Sequence, residues 1–140
     1  MAIAAAQPEI GRTVDAGGIR TNYHDQGQGP PVLLIHGSGP GVTAWANWRL
    51  NLPELAKSFR VLAPDMLAFG YTDAPNERIT DKSVWVRHLL AFLDSMNIEE
   101  ISLVGNSFGG ALALTAYLLM AERERRHRDA ASLSFYGFLV

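Results

Sequence analysis

No cysteine occurs among the 140 residues. A disulfide framework, thiolate metal ligation and a cysteine nucleophile are therefore excluded. No sign of charge dominates: 12 Lys and Arg face 14 Asp and Glu, a net charge of −2. Such a balance favours neither nucleic acid nor an anionic membrane as partner. No apolar stretch approaches the ~20 residues that span a bilayer. The start, Met1 to Pro8, lacks the basic region and the apolar core of a signal peptide. The expectation is a soluble cytoplasmic protein. Internal repeats and low-complexity linkers are absent too. What the chain does have is 48% hydrophobic content, enough for one domain with a real core.

Arg12–Ala16 and Ile19–His24, separated by Gly17-Gly18, read as a hairpin. Pro31–Ile35 is wholly apolar, as expected of a strand buried on both faces of a parallel sheet. A Gly/Pro-rich loop follows from His36 to Gly41, then a helical stretch from about Ala44, broken or restarted at Pro53. Arg60–Pro64 is a fourth strand, ending at Asp65. The clearest helix begins near Asp81, a good N-cap, with Val86, Leu89, Leu90, Leu93 and Met96 on one face. A strand over Ile101–Val104 and a helix over Ala111–Leu119 complete the pattern. Strands alternating with helices after a hairpin imply an α/β layered sheet with right-handed crossovers.

Between that last strand and helix stands Gly105-Asn106-Ser107-Phe108-Gly109-Gly110. Gly-x-Ser-x-Gly between strand and helix is the pattern of a nucleophile elbow. Small residues two positions either side of Ser107 let the two backbones approach closely. They also let the serine take a positive φ that aims its hydroxyl out of the fold. The N–H of Phe108, at the first turn of the helix, then points at negative charge forming beside Ser107.

Four segments carry a resemblance: His36-Gly37-Ser38-Gly39-Pro40-Gly41, Trp45-Ala46-Asn47-Trp48, Asp65 to Asp73, and the Gly105 to Gly110 turn. Over about Arg12 to Leu114 the chain resembles the α/β-hydrolase fold, and more narrowly its meta-cleavage product hydrolases. Members of that family hydrolyse a carbon–carbon bond in ring-fission products of aromatic catabolism. Ala68 stands where the family pattern has glycine. The resemblance implies Ser107 as nucleophile and the N–H groups of Phe108 and Ser38 as oxyanion hole. It implies Asn47 and Asn106 as contacts to the dienol or carboxylate end of a small-molecule substrate. Asn47 could equally satisfy a backbone group near a helix start, and Asn106 the turn itself. The family places His36 structurally in the oxyanion loop, with a role as base the alternative. No metal or other cofactor is implied.

A serine hydroxyl needs a histidine to take its proton and a carboxylate to orient that histidine. In this fold both follow the serine in the chain. Downstream of Ser107 stand only Glu122, Glu124, Asp129 and His127. The helix leaving the elbow carries residue 121 about 20 Å away, with no return segment before Glu124 and His127. The later strands and the lid of the family are missing. Residues 1–120 therefore read as the N-terminal part of an α/β-hydrolase domain, and 121–140 as a divergent tail. Its charge run, Glu122 to Asp129, and apolar end, with a sixth strand at Phe135–Val140 as one reading, fit a truncated, spliced or frame-shifted chain.

Two functions follow: a serine carbon–carbon hydrolase by descent, inactive as this chain, with an esterase as its rival; or a non-catalytic fragment. A strand Ile101–Val104 left at an open sheet edge invites self-association.

Overall fold

The computed structural model describes residues 7–127. Five strands form one sheet: β1 (Arg12–Ala16), β2 (Ile19–Gln26), β3 (Pro31–Ile35), β4 (Arg60–Pro64) and β5 (Ser102–Gly105). Their order is β1-β2-β4-β3-β5. The hairpin β1–β2 is antiparallel and joins β4 antiparallel, whereas β4, β3 and β5 run parallel. Helices α1 (Ala44–Trp48) and α2 (Leu52–Leu55) link β3 to β4; α3 (Ser83–Ser95) links β4 to β5, and α4 (Phe108–His127) follows β5.

Period-two alternation in the strands builds two cores. Leu33 and Ile35 of β3, Leu62 of β4 and Leu103 of β5 face one side, against Leu89, Phe92 and Leu93 of α3 and Leu112 and Ala116 of α4. Val32, Leu34, Val61 and Ala63 face the other, against Ala44, Trp48 and Leu52. A strand that is apolar at every position thus feeds both layers, the physical reason for the continuous run Pro31–Ile35. Helix α3 ends in a Schellman motif. The N–H of Asn97 donates to Asp94 O, and that of Ile98 to Leu93 O, with Asn97 at φ 54°.

The elements differ from the sequence expectation at their ends. β2 runs on to Gln26, and β5 begins at Ser102. Helix α3 starts at Ser83 with Lys82, and not Asp81, at the N-cap; Asp81, one residue before the cap, accepts the Ser83 N–H at 2.7 Å. Helix α4 begins at Phe108 and not Ala111, and passes unbroken through position 120 to His127. Small residues Gly109 and Gly110 belong to its first turn because strand and helix must approach there. The suggested strand at Phe135–Val140 lies outside the described residues. Ala68 adopts φ 66°, the left-handed conformation that explains why glycine suits this position; alanine costs about 1 kcal/mol there.

Beneath the hairpin, His88 is buried, its Nε2 2.8 Å from Thr21 Oγ1 and its Nδ1 without a partner. Burial lowers its pKa from 6.5 to about 4. Between those values the unfolded chain binds more protons than the folded one, so stability falls as pH drops through that window. The loss amounts to about 3 kcal/mol once the pH lies below both values. Urea melts between pH 7 and pH 4 are expected to show this decline, and His88→Gln, which keeps a donor for Thr21, to flatten it. An equally steep decline in the variant would assign the acid sensitivity to another group.

Candidate active site

The crossovers leave β3 toward β4 on one side, whereas β5 pairs on the other. In a parallel sheet the crevice beyond the strand ends at such a reversal is where ligands bind. Three segments meet there: the loop after β3, the turn after β4, and the turn after β5.

The turn after β5 has the geometry of an elbow. Ser107 takes φ 56° and is exposed. A Cβ on Gly105 would overlap the Gly109 carbonyl, and one on Gly109 the carbonyls of Ile35 and His36. Both glycines are therefore required by backbone packing. The Asn106 N–H donates to Ile35 O at 3.0 Å, pinning the turn to the end of β3. Gly109 N–H donates to Asn106 O and Gly110 N–H to Ser107 O, both at 2.9 Å.

Several amides around this turn have no acceptor, and two of them are the ones the resemblance singles out. Among the described residues neither the Ser38 N–H nor the Phe108 N–H has a hydrogen-bond acceptor. Phe108 is held by the ring of Trp85, edge-on at 5.3 Å, whose indole N–H donates to Leu67 O at 2.9 Å. Ser38 lines an open cleft of about 470 Å³ together with Pro40, Val42, Ala68 and Phe69.

His36 lies fully buried at the root of the loop. Its Nε2 accepts the Met66 N–H at 2.9 Å, so its Nδ1 carries the proton and donates to Gly37 O at 2.6 Å. Burial lowers its pKa, against the opposing effects of the Gly37 hydrogen bond and the Asp65 charge. A neutral imidazole with both nitrogens occupied holds the loop and is not placed to receive a proton from Ser107.

Asn47 and Asn106 come together. Asn47 Oδ1 accepts the Gly37 N–H at 3.0 Å and the Asn106 Nδ2–H at 2.9 Å. Asn47 thus satisfies a backbone group, but in the loop and not at its own helix start, whereas the Asn106 side chain bonds to Asn47 and not to its own turn.

Asp65 is a residue that sequence inspection passed over as the end of a strand. Fully buried, its carboxylate accepts from Asn22 Nδ2 (2.9 Å), Ala44 N–H (2.7 Å) and Tyr71 N–H (2.9 Å). It fixes the start of α1 and the turn after β4, and a Cβ on Gly70 would overlap it. The signals in the sequence were a carboxylate directly behind an apolar strand and its place at the head of the Asp65 to Asp73 segment.

Glu124 and His127 are not brought to Ser107. At ~1.5 Å per residue α4 carries His127 about 28 Å along its axis from Phe108. Among the described residues no three His, Asp or Glu side chains gather as a metal ion would require, and no helix is long and apolar enough to cross a membrane.

Residues 30–125 match the family described as alpha/beta hydrolase fold. A 2-hydroxymuconate semialdehyde hydrolase from Pseudomonas sp. (strain CF600) is 60% identical over 119 residues, which are 85% of this chain and 42% of that protein. The solved structure of a meta-cleavage product hydrolase from Pseudomonas fluorescens is 52% identical with a TM-score of 0.80, covering 84% of this chain and 43% of that one. A serine hydrolase involved in carbazole degradation is 45% identical with a TM-score of 0.76, over 81% and 44% of the two chains. The chain thus spans about two fifths of the length of these relatives.

Proposed function

The chain belongs to the α/β-hydrolase fold family, and on that footing we propose that it carries the nucleophile and oxyanion hole of a serine hydrolase acting on ring-fission products. The reaction would be hydrolysis of a carbon–carbon bond beside a ketone. One observation carries this reading: an exposed serine at positive φ, with unpaired Ser38 and Phe108 amides in the loops meeting at it. After ketonisation of the substrate, Ser107 Oγ attacks the carbonyl carbon, and the two amides receive the charge that develops on its oxygen. A neutral carbonyl needs those donors less than the oxyanion does, so they accelerate the step and do more than bind.

The proton of Ser107 has no receiver among the described residues. His36 is occupied, His88 lies under the hairpin, and His24 Nε2 sits 3.2 Å from Glu9 O. By the chain order of this fold, the acid and base follow the serine. We therefore infer that residues 1–140 alone turn over little or no substrate, and that a segment like the downstream part of the relatives supplies proton transfer.

A fluorophosphonate probe tests this. It is expected to modify Ser107 slowly, on the order of 10³-fold below an intact family member, with mass spectrometry locating the adduct. Rapid stoichiometric labelling would show that a base is already at hand. Adducts elsewhere, with Ser107 untouched, would remove it as the nucleophile.

A further inference from the structure

We propose that Asn47 is a positioning residue: its side-chain oxygen ties the loop after β3 to the elbow and sets which way both asparagine amides face. The inference deepens the assignment of Ser107, Ser38 and Phe108 and rests on it.

An amide side chain usually leaves open which end is oxygen. Here a backbone group decides. The Gly37 N–H can only donate, so the atom 3.0 Å from it is the Asn47 oxygen. That same oxygen lies 2.9 Å from the side chain of Asn106, which must turn its NH₂ toward it. Both lone pairs of Asn47 Oδ1 are then committed, and that oxygen has nothing left to offer a substrate. What the pair still presents is the two N–H groups of Asn47 Nδ2, the second N–H of Asn106 Nδ2, and the acceptor Asn106 Oδ1. Neither Asn47 Nδ2 nor Asn106 Oδ1 is sealed in the interior: both residues are half-buried, and among the described residues the buried side-chain atoms without partners are those of Trp48 and His88.

The placement of the two bonds is what gives the oxygen its role. Gly37 directly precedes Ser38, and Asn106 directly precedes Ser107. One atom from α1 therefore fixes the residue before the unpaired loop amide and the residue before the nucleophile. A Cβ built on Gly37 would lie 3.5 Å from Asn106 O, ordinary contact distance, so loop and elbow already lie side by side where the oxygen joins them. Holding donors and nucleophile in one geometry before substrate arrives is what oxyanion stabilisation requires.

Hydrogen exchange at the Gly37 amide, read by NMR or by a peptide covering the loop, tests the proposal on the chain itself. Asn47→Ala removes the acceptor and is expected to speed exchange about fivefold to tenfold. Asn47→Asp keeps an oxygen at the same place and is expected to hold exchange within about twofold of wild type. Asn106→Ala removes the second arm only and should leave Gly37 protected. Unchanged protection in Asn47→Ala, or protection lost equally in Asn47→Asp, overturns the proposal. If Asn47→Ala does not fold, the aspartate variant decides alone: protected supports it, unprotected refutes it. Exchange does not depend on turnover, so a negative result here leaves the Ser107 assignment standing, and slow probe labelling leaves this one standing.

Discussion

Hydrolysis of a ring-fission product is expected to appear when residues 1–140 are mixed with the downstream half of a close relative, and to fall by at least ~10³-fold with Ser107→Ala. The physical basis is an edge. Among the described residues β5 pairs only with β3, and its other side carries unused backbone groups. Beside it α4 exposes Leu114, Leu118 and Leu119, at 46%, 56% and 44% of their surface. An unpaired strand next to an apolar helix face recruits either a complementary strand or a second copy. Alone, the chain should therefore sediment as a dimer or larger species; with the downstream half it should form a one-to-one complex. Loss of the conjugated substrate chromophore reports turnover, and general-base transfer within it is worth about 10²–10⁴-fold. A folded one-to-one complex without turnover would mean that the assignment of Ser107, Ser38 and Phe108 is wrong. Undiminished turnover in Ser107→Ala would place the nucleophile elsewhere.

Gly109→Ala is expected to be among the most damaging methyl groups that can be added at the described glycines. It would overlap the carbonyls of Ile35, the last residue of β3, and of His36 directly after it, and backbone there cannot retreat as a side chain could. Overpacking against backbone costs about 3 kcal/mol or more, a large share of a small domain's total stability. A fall in urea midpoint with unchanged slope, or loss of soluble protein, is the expected measurement. Gly39→Ala is the control, because nothing lies within 4 Å of a Cβ built there. Equal stability of the two variants would show that the elbow does not pack as described.

Local rules made much of this legible in sequence. Ser107 had to take a positive φ because a strand turns into a helix within two residues, and it does so at 56°. The apolar run Pro31–Ile35 had to lie between two layers, and its side chains divide between two cores. Each of these depends on a window of a few residues, where sterics and side-chain period act directly.

Partners separated along the chain were decided only by tertiary structure. Asn47 meets Asn106 across 59 residues, Met66 meets His36 across 30, and Asp65 gathers Asn22 from 43 residues away. No local pattern says which oxygen faces which amide, because that follows from how the crossovers stack three loops at the end of one sheet. Hydrogen bonds are directional and short-ranged, so a tautomer at His36 or an amide orientation at Asn47 exists only once those loops are within 3 Å of one another. By itself the sequence determined the fold and the strand-to-helix turn that presents Ser107; the arrangement that ties the loop after β3 to that turn was left to the packing of distant segments.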